Sequence, residues 1–180
     1  MSTIKLATKE LHEDLERCSF NQKMFRGEQT RAERADYLLS WYEIFKILDK
    51  RVPSELHRCA HITYDLDHLK MTSSSVPLYT HGYCTYLESF CKNIKAHIYV
   101  NYMGLLYGGQ IMKKRYPEFP TEIYNFDDIE SSREYIREQI VEDTEDFITE
   151  ANHAFRWHIA ISSELSETHS IDELTRSARH

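Results

Sequence analysis

The chain has 180 residues, of which 41% are hydrophobic and 28% charged, and its net charge is −7. That size and composition describe one globular domain with a sizeable core, and the acidic balance argues against broad binding to nucleic acid or an anionic membrane. No apolar run approaches a membrane span, and the charged start, Met1 to Glu10, lacks the apolar stretch of a signal peptide, so a soluble, cytoplasmic protein without a membrane anchor is expected. The four cysteines, Cys18, Cys59, Cys84 and Cys91, form no Cys-x-x-Cys pair, which fits a reduced compartment.

Glycine and proline are scarce, at five and four, and apolar residues recur at spacings of three and four. This predicts an all-α, single-domain protein. A first helix is expected over about residues 2–17. A short turn of structure around Phe20 to Phe25 leads to Gly27. Thr30 is placed as an N-cap, with Glu33 at the capping-box position. The helix that follows carries Tyr37, Leu38, Trp41, Ile44, Phe45 and Leu48 and stops at Pro53. Others are expected over about 54–69 and, after a loop at Thr72 to Ser75, over about 77–92. A glycine-bearing helix comes next and ends at Pro117. A helical stretch from Asp127 or Asp128 to about 150 precedes a last helix reaching about 166. The domain is therefore drawn at 1–166, with 167–180 as a polar tail expected to fray.

Gly104, Gly108 and Gly109 are three of the five glycines, and they fall within the helix from His97 to Arg115. Each costs a helix about 1 kcal/mol relative to alanine, roughly 3 kcal/mol together. Gly104 and Gly108 are four apart and share a face. Missing side chains let something flat or bulky approach the backbone and let the helix bend. Close helix–helix packing explains the same glycines equally well.

In the first helix Lys5, Lys9, His12 and Glu16 are spaced four, three and four apart. At 3.6 residues per turn they lie within roughly 60° of one another. Ile4, Ala7, Leu11, Leu15 and Cys18 form the neighbouring core stripe. A neutral imidazole at that edge can ligate haem iron. A carboxylate one turn on can fix its tautomer, and lysines can pair with propionates. Taken in isolation, a boundary histidine on an ordinary amphipathic helix is the more economical account.

Together the two segments resemble the haem oxygenase family. Leu6-Ala-Thr-Lys-Glu-Leu-His12-Glu-Asp-Leu-Glu16 is similar to its proximal helix. Ala96-His-Ile-Tyr-Val-Asn-Tyr-Met-Gly-Leu-Leu-Tyr-Gly-Gly-Gln110 is similar to its distal helix. Weaker similarity at Pro53 to His57 and Ala151 to Phe155 follows in the same order. The resemblance implies a helical bundle with haem b sandwiched between a proximal and a kinked distal helix. It implies that His12 is the iron ligand, with Glu16 as its neighbour, and that Lys5 and Lys9 face the propionates. Gly104, Gly108 and Gly109 would let the distal helix lie close over the haem. Tyr99 and Phe155 match pocket residues, and Arg133 and Arg137 match basic residues that hold a propionate. On the residues alone, Tyr99 fits a core position and the two arginines fit a solvated helix face.

The implied reaction is cleavage of the haem ring at a meso carbon, the alpha carbon by default. It yields biliverdin, carbon monoxide and ferrous iron from dioxygen and external electrons. A ferredoxin or a flavoprotein reductase is the implied donor, and a monomer or weak dimer is expected. One departure bears on proton delivery. The family usually has aspartate after the first distal glycine, where it anchors waters; this chain has Leu105. Tyr107 stands in place of a usual serine, Asn101 of an arginine, and His158 of a frequent asparagine. His158 or Tyr107 is the expected substitute in a rearranged catalytic network. The alternative is a haem-binding, storage or sensing protein that leaves the ring intact.

Overall fold

A computed structural model of the protein describes residues 3–70 and 75–177. Residues 1–2, 178–180 and most of the loop at Thr72 to Ser75 lie outside the described residues. The helices, in order, are α1 (Thr3–Ala7), α2 (Lys9–Arg17), α3 (Ser19–Arg26), α4 (Arg31–Leu48), α5 (Cys59–Leu69), α6 (Leu78–Ser89), α7 (Ile94–Arg115), α8 (Ile129–Tyr135) and α9 (Glu145–Ser177). Single 3-10 turns occupy Asp49–Arg51, Ser54–Leu56 and Glu122–Tyr124, and a π-turn occupies Ile136–Ile140. There is no strand among the described residues, as the all-α pattern predicts.

Local sequence sets some helix ends. Thr30 caps α4: its Oγ1 accepts from the Glu33 N–H at 3.2 Å, and Glu33 Oε2 accepts from the Thr30 N–H at 2.6 Å. Such a cap stabilises a helix by about 1 kcal/mol. Gly27 ends α3 at φ +78°, a left-handed conformation suited to glycine. Other ends depend on distant residues. The first N–H groups of α6, on Leu78 and Tyr79, donate to the Glu164 carboxylate of α9 at 2.6 and 2.8 Å. Asp49 Oδ2 accepts from Arg58 N and Cys59 N at the start of α5, while Asp49 Oδ1 accepts from Tyr102 Oη at 2.7 Å.

Several expected elements differ. The helical stretch expected from Asp127 or Asp128 to about 150 is broken at 141–144, between the π-turn and α9, and the helix expected over about 54–69 starts only at Cys59. The first helix is interrupted at Thr8, whose hydroxyl donates to the Ile4 carbonyl at 2.8 Å. The ends expected near 150 and 166 are absent: α9 runs unbroken from Glu145 to Ser177. No glycine or proline follows Pro120, so nothing in the chain forces a stop there. The polar segment after residue 166 is helical to Ser177. Within it His169 is buried, with Nε2 3.0 Å from Asp36 Oδ2.

The core is built where α4, α7 and α9 present their apolar residues, including Leu38, Phe45, Leu106, Phe147, Ala151 and Ala154. Helices α2 and α7 both pack against α9. That shared wall positions the site.

Candidate active site

On the α2 side, the structure keeps His12 accessible. Its side chain is 55% exposed, and its ring meets Phe155 of α9 edge-on at 5.6 Å between centroids. Glu16 lies one turn on, with Oε1 3.6 Å from His12 Nδ1, beyond hydrogen-bond length. Nε2 has no protein partner among the described residues. Lys5 is exposed, and Lys9 makes only a surface pair with Glu13 at 3.7 Å. His12, Glu16, Lys9 and Phe155 are thus gathered at one edge, with both lysines free to turn toward an anion.

On the α7 side, the three glycines separate into two kinds. A Cβ added at Gly104 or Gly108 would meet nothing within 4 Å, so their backbone opens onto free space. No packing neighbour explains the missing side chains there. Gly109 is different: an added Cβ would stand 2.3 Å from Tyr124 Cδ1. Its absent side chain serves packing against the Glu122–Tyr124 turn. Helix α7 passes through all three glycines as one uninterrupted α-helix. The open face is a cradle that any side chain would fill, and it accompanies a histidine with a free ring nitrogen. Both fit a flat iron-bearing ligand.

Leu105 is buried, 1% exposed, in the core. Aspartate there would place a carboxylate in an apolar setting. Tyr107 is exposed and turned toward α8. Its hydroxyl accepts from Arg137, and the Arg133 guanidinium stacks 4.0 Å from its ring centroid. Arg133 also donates to the Leu106 carbonyl at 2.7 Å and pairs with Glu130. Arg133 and Arg137 therefore gather on Tyr107, beside the Gly104–Gly108 stretch, rather than on a separate solvated face. Tyr99 is buried and packs on Phe147 with ring centroids 5.9 Å apart.

His158 stands one turn of α9 beyond Phe155 and stacks on Trp41 at 5.2 Å. Its Nε2 lies 2.9 Å from Asn101 Oδ1, one turn of α7 before Gly104. From Asn101 a buried series of polar contacts continues. Asn101 Nδ2 donates to Tyr83 Oη at 3.1 Å and to the His97 carbonyl at 2.7 Å. Tyr83 Oη lies 2.8 Å from His97 Nδ1, and His97 Nε2 lies 2.8 Å from Glu150 Oε2. Glu150 also accepts from Tyr86 Oη at 2.8 Å and from the Lys92 N–H at 3.2 Å. Burial pushes the Glu150 carboxyl upward, but these donors outweigh it and hold the group below its ordinary value. Burial lowers His97 despite Glu150. Burial, and secondarily the proximity of His97, pushes His158 down to about 4.

Sequence reasoning missed Tyr83, His97 and Glu150 as parts of this site. His97 lies in the distal-helix segment, but its partners are 14 and 53 residues away. The available signal was the position of His97, one helical turn before Asn101 in the distal-helix segment.

The chain matches the Heme oxygenase family model over residues 1–164. It is 29% identical over 133 residues to heme oxygenase 1 of Gallus gallus and 28% identical over 134 residues to that of Bos taurus. Each alignment covers 62% of this chain, but only 45% and 46% of those relatives, so the match spans less than half their length. Among solved structures, the heme oxygenase of Leptospira interrogans aligns with a TM-score of 0.76 at 23% identity, covering 89% of this chain and 97% of that one. Heme oxygenase-1 of the cyanobacterium Synechocystis, solved in complex with heme, aligns with a TM-score of 0.79 at 19% identity, covering 98% and 97%. These likenesses establish the shared fold. No helix of the described residues is long and apolar enough to cross a membrane. With the family model matched over residues 1–164 of its 180, the chain belongs to the haem oxygenase family.

Proposed function

We propose that this protein is a haem oxygenase that opens haem b at a meso carbon, by default the alpha carbon, releasing biliverdin, carbon monoxide and ferrous iron. The observation that carries this reading is the pairing of an accessible His12 with the open backbone face at Gly104 and Gly108. When bound, haem supplies both the iron that activates dioxygen and the ring that is cleaved. His12 Nε2 ligates the iron, and the Glu16 carboxylate one turn on stands on the Nδ1 side, close enough to take up a hydrogen bond by a small side-chain shift. Phe155 packs against the imidazole edge. Lys5 and Lys9 hold one propionate edge, while Arg133 and Arg137 leave Tyr107 to hold the other. Gly104 and Gly108 leave no side chain to keep the ring from the α7 backbone, and Tyr99 lines the pocket. That close roof crowds the distal side and excludes bulk water.

The electrons come from an external donor, a ferredoxin or a flavoprotein reductase, docked beside the exposed lysines and arginines. The protein acts in the cytoplasm, as a monomer or weak dimer. A second reading, haem binding or sensing without ring opening, draws on the buried, non-polar Leu105. A single turnover decides between them: haem-loaded protein, reduced ferredoxin with its reductase, and air. Loss of the Soret band with growth of biliverdin absorption is expected. A Soret band that persists through repeated reduction would favour the second reading.

A further inference from the structure

The polar contacts between Glu150 and His158 have a direction that follows from donor and acceptor chemistry once Glu150 is ionised and His97 neutral. Glu150 is ionised and can only accept, so His97 Nε2 carries the proton that meets it. His97 is neutral, so its Nδ1 is bare and accepts from the Tyr83 hydroxyl. With its one proton used, Tyr83 Oη accepts from Asn101 Nδ2. The His97 carbonyl, which can only accept, demands the same Nδ2 at 2.7 Å. Two constraints thus fix the Asn101 amide in one orientation. Its Oδ1 must face His158 Nε2, which therefore donates. Reversing any one link would set two acceptors or two donors face to face within buried surroundings, which buried polar groups do not tolerate.

We infer that this buried ladder locks His158 in the Nε2–H tautomer, so that its bare Nδ1 is the acceptor this chain offers to water beside a ligand held between α2 and α7. Nδ1 has no protein partner among the described residues. Trp41 covers one face of the ring, which confines the imidazole to the plane that the Asn101 contact sets. A water that donates one O–H to Nδ1 presents its other O–H away from the imidazole. His158 thereby orders a donor without itself giving up a proton. Asn101 is a positioning residue in this arrangement. Its amide cannot readily pass a proton, so the ladder orients rather than conducts. The ligand's place rests on the function proposed above; the tautomer does not.

Long-range nitrogen–proton NMR of the haem-free protein at neutral pH reads the tautomer directly. Nε2–H at His158 is expected; Nδ1–H, or a doubly protonated ring, would overturn the inference. Asn101→Leu removes the acceptor, and a mixture of tautomers should replace the single one. An unchanged tautomer would show that the ladder does not set it. Single turnover with His158→Leu should slow ring opening at least tenfold relative to the parent, and an unchanged rate would overturn the role of Nδ1. If the parent protein opens no ring, the proposed function fails, and the NMR result alone decides this inference.

Discussion

The two sides of the site are built in opposite ways. The α2 side is local and wet: Lys5, Lys9, His12 and Glu16 occupy successive turns of the first helical segment, and His12 is more than half exposed. The α7 side is assembled from afar and dry. Its polar groups lie on α6, α7 and α9, at separations of 18, 53 and 57 residues, with His97 and Asn101 fully buried. An exposed ligand group can adjust to what it binds. A buried hydrogen-bonded ladder is set by folding and holds one polarity. The contrast teaches that this protein separates attachment of the ligand from orientation around it.

The glycines sharpen that contrast. Gly108→Leu should fill the open face and lower haem affinity at least tenfold, about 1.4 kcal/mol, while the haem-free protein keeps its fold. Haem titration and circular dichroism together check this, and unchanged affinity would remove Gly108 from the cradle. Gly109→Ala should instead destabilise the haem-free protein by about 1–3 kcal/mol, because the new methyl meets Tyr124. Denaturant unfolding measures it. Normal stability with impaired haem binding would return Gly109 to the ligand face.

Acid should attack the dry side first. Folding holds His158 down at about 4 and lowers His97, both from an ordinary 6.5. Below that ordinary value the unfolded chain binds more protons than the folded one, so stability falls as pH drops. Glu150, held below its ordinary carboxylate value, adds its own loss only as the pH falls further. The protein should therefore keep full stability above about pH 6.5 and lose it progressively toward pH 4. Urea midpoints across this range test it, and a flat profile would argue against a neutral, buried ladder. The smallest effect is expected at Gly104→Ala. With nothing near its Cβ, alanine should stabilise the haem-free helix by up to about 1 kcal/mol, seen as a higher melting temperature.

Much of the fold was legible because its signals are local. The Thr30–Glu33 capping box and Gly27 appear as read, and so does the helix through Gly104. The start of α5, expected near residue 54 and found at Cys59, was blurred because its cap, Asp49, comes from another element. The full length of α9 is not legible because the polar residues after 166 carry no apolar period to mark helix. Helix needs no apolar face over every turn when no breaker intervenes. At the site, the periodic His12 group was visible. The separation of Gly109 from Gly104 and Gly108 was not, since only the packed Tyr124 distinguishes them. Tyr83 and Glu150 carry no motif and acquire meaning only through the contacts that folding makes.

The most direct test of the central claim is the absorption and electron paramagnetic resonance spectrum of the haem complex of His12→Ala, recorded with and without added imidazole. The account predicts loss of the axial-ligand signature in the variant and its return when imidazole occupies the vacated space. A spectrum identical to that of the unaltered protein would contradict it and place the iron ligand elsewhere.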